Sequence, residues 1–170
     1  MVIVYTCLTG PDVQTDKDLP YIQICTLEAV RETEIHAYDG VITIEDTTIE
    51  DPFRIEVSYP PQLVLRFDDI TKPFEDYVLP EAHHVWTALD FAEEWGYPSL
   101  LIHCHAGMSR SPAIALAIIA NCLGEGREQE AVHELLKITP LCTPNRLLVE
   151  IIDRELGRNG RLIKACDVSC

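Results

Sequence analysis

Apolar and β-branched residues gather in short runs over 2–5, 41–44, 63–67 and 100–103, each bounded by Gly, Pro, Asp or other turn-forming residues, and these runs predict strands. Between and after them the period lengthens to that of a helix. Ala82, Val85, Trp86, Leu89 and Ala92 follow Pro80 at helical spacing; Ala131, Leu135 and Ile138 mark a later helix, and Leu147, Leu148, Ile151 and Ile152 another. An early helix is predicted over 27–35. Strands alternating with helices specify an α/β fold: a central, largely parallel sheet flanked by helices, with a helical C-terminal half. Without a repeat or an interdomain linker, residues 1–156 read as a single domain. From Gly157 the periodicity lapses and Asn159-Gly160 favours a turn, so 157–170 is expected to be a C-terminal tail that exposes Cys166 and Cys170. Trp86 and Trp95 are expected in the core.

The apolar run at 100–103 leads directly into Cys104-His105-Ala106-Gly107-Met108-Ser109-Arg110-Ser111-Pro112, and residues 113–123 are nearly all helix formers. A loop therefore joins a buried strand to a helix. Pro112 is tolerated in a first helical turn, where its missing donor breaks no intrahelical bond, and Gly124 suits the helix end. Unpaired amides at the helix start and the curled backbone of His105, Ala106, Gly107, Met108, Ser109 and Arg110 make an anion-binding nest. Gly107 permits the tight curl. Arg110 adds a planar, permanently charged fork that can bind two phosphate oxygens. A thiol beside such groups ionises more readily. Cys104 is thus expected to attack a phosphate ester and form a cysteinyl-phosphate that water later releases, with Ser111 donating a hydrogen bond to the departing thiolate.

His103, Cys104, Gly107, Arg110 and Ser111 match the loop His-Cys-x-x-Gly-x-x-Arg-Ser/Thr, and by it the chain resembles the protein tyrosine phosphatase superfamily. Gly107 to Ser111, reading Gly-x-Ser-Arg-Ser, is similar to the dual-specificity branch. The resemblance implies Cys104 as nucleophile, Arg110 as phosphate clamp, Ser111 as the assisting hydroxyl, and His103 as structural support for the loop. It also implies a general acid upstream of the loop. Asp68 and Asp69 follow the strand at 63–67, and Phe67-Asp68-Asp69 looks like a family pattern in which the second Asp carries the proton; Asp69 is favoured and Asp68 stays a rival. Thr143-Pro144-Asn145 resembles the Pro-Asn that opens a late family helix. No cofactor and no metal are expected: His103-Cys104-His105 and His83-His84 hold zinc-ligating residue types, but strand alternation sends Cys104 away from its neighbours and a metal would occupy the thiolate.

At 170 residues and 47% hydrophobic content the chain can form one core that buries roughly 70% of its unfolded surface. So short a chain resembles the compact, shallow-pocketed branch of the family, in which phosphoserine and phosphothreonine also reach the nucleophile. Seven cysteines without regular spacing, and a catalytic thiolate, suit a reducing compartment; with no basic leader and no membrane-length apolar run, a cytoplasmic location is expected. The formal charge of −15 opposes binding to nucleic acid, anionic membranes and highly phosphorylated substrates. Glu45-Asp46, Glu50-Asp51 and Glu56 fall on a predicted loop with Pro52, Pro60 and Pro61, which reads as a solvated loop or as a rim preferring basic peptides. The expected substrate is a phosphorylated protein, with a small phosphomonoester as the alternative; family loops acting on small metabolites or inositol phosphates often carry Lys where this chain has His105 and Met108. A phosphoresidue-binding module without turnover is a further reading, opposed by the intact Cys and Arg.

Overall fold

The computed structural model describes residues 19–94 and 99–170; the strand expected at 2–5, and Trp95, lie outside them. Four parallel strands, β1 (Tyr21–Cys25), β2 (Gly40–Glu45), β3 (Gln62–Arg66) and β4 (Ser99–His103), are ordered β1-β4-β2-β3. The α/β plan with a central parallel sheet is the one the sequence pattern predicts. β2 is buried along its whole length and β4 from Leu100 onward, so both read as continuous apolar runs, while edge strand β3 alternates, with Leu65 inward and Val64 outward. β1 escapes the pattern because Gln23 interrupts it. That side chain is buried and accepts a hydrogen bond from the Tyr38 hydroxyl.

Among the described residues six α-helices surround the sheet: α1 (Leu27–Glu32), α2 (Ala82–Glu94), α3 (Arg110–Leu123), α4 (Glu128–Ile138), α5 (Arg146–Glu155) and α6 (Arg161–Ser169). In α2 the inward residues are His84, Val85, Ala88, Leu89 and Ala92, a 3.6-residue stripe. Trp86 lies off that stripe at 42% exposure and donates its indole N–H to Glu155 at 2.9 Å, which corrects its expected place in the core. α3 follows β4, starts with Pro112 in its first turn and stops at Gly124, whose φ of +86° suits glycine. Every residue from Arg110 to Ala120 is buried.

The stretch from Gly157 is not an irregular tail. α6 packs Leu162, Ala165 and Cys166 into the main core, so Cys166 is buried and only Cys170 is exposed. Its spacing of apolar residues is helical, but the run is short and shares its turns with Arg161 and Lys164. What secures it is remote: buried Asp153 of α5 accepts the N–H groups of Gly160 at 2.6 Å, Leu162 at 2.9 Å and Ile163 at 3.4 Å. These are orphan donors of a helix start. Among the described residues no helix is long and apolar enough to cross a membrane. Asp153→Ala leaves those donors without an acceptor and is expected to destabilise the domain by about 1–3 kcal/mol, read from the urea midpoint, with amide exchange in α6 accelerated most.

Candidate active site

The carboxyl end of the sheet gathers the candidate residues. Cys104 follows β4 directly, is 3% exposed, and has its Sγ 3.2 Å from Ser111 Oγ and 3.2 Å from the Gly107 N–H that donates to it. The loop curls above the sulfur through Gly107, which has φ +69°. A Cβ there would also sit 3.0 Å from the Cys25 carbonyl oxygen, so conformation and space both require glycine. The loop's carbonyls are used up outside it: His105 O accepts from Leu27 N at 3.1 Å, Met108 O from Thr143 N at 2.9 Å, and Ser109 O from Asn145 N at 3.1 Å. In a trans peptide the N–H opposes the C=O, so the amides of Ala106, Ser109 and Arg110 turn inward over the sulfur. An oxyanion fits the resulting cradle. His105, Ala106 and Met108 form its exposed rim.

Arg110 is only 3% exposed, and a buried guanidinium needs partners. Its Nη1 donates to the Phe67 carbonyl at 2.9 Å and pairs with Asp46 Oδ1 at 2.8 Å. Nε, equally buried, meets no acceptor among the described residues. One nitrogen anchors the fork while a second buried donor stays unsatisfied, a state that an anion's oxygen would relieve.

The two neighbouring aspartates have opposite surroundings. Asp68 is 2% exposed, and its oxygens accept from Thr47 N at 3.0 Å, Thr47 Oγ1 at 2.7 Å and Val78 N at 2.8 Å. Burial alone would raise its pKa, but these bonds and the nearby Arg110 charge hold it below the ordinary carboxylate value. Asp68 is a fixed anionic tie between two loops. Asp69 is exposed at the cradle's mouth, where its Oδ1 accepts from the Ser109 hydroxyl at 2.8 Å and the Asn145 amide at 2.7 Å. It lines a cleft of about 620 Å³ with Lys72, Phe74, Ser109, Thr143 and Asn145.

His103 lies beneath the loop with Nε2 2.9 Å from Thr43 Oγ1 of β2 and its ring edge-on to Phe53. Burial pushes its pKa down to about 4, leaving a neutral tie between strands. The acidic stretch after β2 is only partly solvated: Glu45 is buried and bound by Arg54 at 2.7 Å, and Asp46 holds Arg110. Asp46 and Asn145 are the site residues that the sequence pattern does not single out. The order of β2 beside β4 brings in the first, and only the Pro-Asn helix opening hints at the second. The six described cysteines are free; burial drives Cys25 and Cys166 up to about 12 and Cys142 to about 11, which keeps these thiols protonated. Among the described residues no group of three or more His, Cys, Asp or Glu side chains is disposed to hold a metal.

No protein-family model and no curated protein sequence matches the chain. Solved structures do. The chain is similar to DUSP15, with a TM-score of 0.64 at 16% identity over 89% of this chain and 94% of that one. It is also similar to Tk-PTP in its active form, with a TM-score of 0.58 at 20% identity over 88% and 99%. A third match is PTPMT1 in complex with PI(5)P, with a TM-score of 0.54 at 18% identity over 86% and 97%. The fold is therefore that of the dual-specificity branch of the protein tyrosine phosphatases, as the loop motif led one to expect.

Two buried histidines are expected to contribute to the domain's acid sensitivity. His84, which packs on Phe67 and accepts from Glu81 N at 3.0 Å, is pushed by burial to about 4, as is His103. Between their ordinary value of 6.5 and about 4, the unfolded chain binds protons that the folded one refuses, so stability falls as pH drops through that window. His103→Gln is expected to make the decline shallower. Denaturant titrations from pH 7 to 4 check this; an unchanged slope would refute it.

Proposed function

We propose that the protein hydrolyses phosphomonoesters through a cysteinyl-phosphate, with phosphotyrosine in proteins as its principal substrate and phosphoserine or phosphothreonine also admitted. The observation that carries this reading is Arg110, a buried guanidinium at the start of the helix that follows the Cys104 loop: it is anchored through Nη1 to Phe67 and Asp46, and its buried Nε meets no acceptor among the described residues. A tetrahedral oxyanion bound there places phosphorus above the sulfur. The Gly107 N–H and Ser111 hydroxyl, each 3.2 Å from Sγ, stabilise a thiolate.

In the first step the S–P bond forms and the ester P–O bond breaks, while Asp69 gives its proton to the departing oxygen. In the second, water attacks phosphorus, returns a proton to Asp69 and expels the thiolate, to which Ser111 donates. Asp68 is unsuited to the proton role because both its oxygens are engaged in fixed bonds.

The charge around the loop favours a peptide over a polyphosphorylated small molecule. Arg31 is paired with Asp51 at 3.0 Å, Arg146 with Glu150 at 3.0 Å and also with Asp167, and the rim positions hold His105 and Met108. Likeness to PTPMT1, solved with PI(5)P, supports a second reading as a phosphoinositide phosphatase. Steady-state rates on phosphotyrosine, phosphothreonine and inositol phosphate substrates distinguish them. Phosphotyrosine peptide is expected to be hydrolysed fastest, in a vanadate-sensitive reaction that Cys104→Ser abolishes. Asp69→Asn is expected to lower kcat by about 10²–10⁴ for poor leaving groups and far less for activated aryl phosphates. Phosphoresidue binding without turnover by the unaltered chain would instead make it a recognition module.

A further inference from the structure

We infer that Asn145 is a positioning residue that selects which oxygen of Asp69 carries the catalytic proton. The inference rests on Asp69 being the proton donor. Asn145 opens α5 and is 5% exposed; its Oδ1 accepts from Leu148 N at 3.1 Å, which fixes the amide's orientation and leaves Nδ2 as the donor. Nδ2 reaches Asp69 Oδ1 at 2.7 Å and, at 3.4 Å, the Ile70 carbonyl. The Asn145 backbone N–H meanwhile holds the Ser109 carbonyl at 3.1 Å, and the Ser109 hydroxyl is the second donor to Asp69 Oδ1. One residue therefore ties the phosphate loop, through its backbone, to the acid-bearing loop and the start of α5, through its side chain.

The two bonds are not shared between the carboxyl oxygens. Both fall on Oδ1 and fill the two acceptor positions a carbonyl-type oxygen offers, while Oδ2 takes no hydrogen bond among the described residues. A proton on Asp69 therefore resides on Oδ2. Rotation of the carboxyl group would break both bonds, so Oδ2 is the oxygen held ready for the leaving group. In the return step the same oxygen receives the proton from water. Proton transfer is sensitive to such alignment, and a misplacement of about 1 Å can cost about 10²-fold in rate.

The test is a leaving-group series of aryl phosphates, from phenyl to dinitrophenyl, run on the intact chain, Asp69→Asn, Asn145→Ser, Asn145→Thr, and Asn145→Ser combined with Asp69→Asn. Ser and Thr both retain an oxygen that caps α5 but are too short to reach Asp69. Each is expected to lower kcat/KM, which reports the steps through ester cleavage and not the return step, by about 10-fold to 10²-fold for phenyl phosphate while leaving dinitrophenyl phosphate nearly unchanged, giving a steeper dependence of kcat/KM on leaving-group pKa. In the Asp69→Asn background Asn145→Ser should add nothing to that dependence. A uniform loss across the series in both capping variants, or an undiminished effect in the Asp69→Asn background, would reduce Asn145 to a structural cap. If Asp69→Asn itself leaves the series unchanged, Asp69 is not the donor and both assignments fall; if Asp69→Asn steepens it and the Asn145 variants do not, the positioning role alone fails.

Discussion

Burial of α3 on all sides is the constraint from which the site follows. From Arg110 to Ala120 every residue is buried, and the sequence alternates alanines with Ile114, Leu116, Ile118 and Ile119, so neighbouring elements approach closely on one turn and interdigitate on the next. A helix packed all round has no freedom to slide or tilt. Its first turn is then fixed relative to β4, and the five residues between Cys104 and α3 span a set distance. Gly107, pressed against the Cys25 carbonyl, is how the chain fits that span. The price of such a helix is a buried cation at its start. Arg110 is tolerable because β3 is followed by the Phe67 carbonyl and β2 by Asp46, both at the carboxyl end of the sheet.

Parallel strands make that convergence general. All four carboxyl ends point one way, so the segments following β2, β3 and β4 supply Asp46, Asp68 with Asp69, and Cys104 to one region without long excursions. Thr47 and Asp68 then lock the β2 and β3 segments to one another. The residues before α5 complete the ring by holding Met108 and Ser109 from outside. The cradle's inward amides thus owe their direction to acceptor use elsewhere in the fold.

What was legible in the sequence was what is local. The loop from His103 to Pro112 carries its strand, its turn residue and its helix start within ten positions, and β2, β3, α2, α4 and α5 show their periods without reference to a partner. β1 was not legible because the buried Gln23 is explained only by Tyr38, fifteen positions on. α6 was obscured for a related reason: Asp153, the acceptor that starts it, lies in the preceding helix. Trp86 was misplaced because a large aromatic ring near an apolar stripe satisfies the pattern whether it lies on the stripe or one step off it. Asp46 belongs to the same class as Gln23, since a pairing over 64 positions leaves no local trace, and at Asn145 the Pro-Asn opening marks the helix start but not the partner 76 positions away.

The acidic excess of the chain acquires a second meaning in the fold. Glu45, Asp68 and Asp153 are buried carboxylates whose two oxygens are both taken by guanidinium, hydroxyl or backbone donors, and each ties segments that the sheet alone would not hold. At Asp68 these donors, together with the nearby Arg110 charge, outweigh burial and hold the carboxyl below its ordinary value. Asp69 differs in having both of its bonds on one oxygen and open cleft beside the other. In the proposed mechanism, adjacent residues of identical chemistry are told apart by which acceptor positions their neighbours already fill.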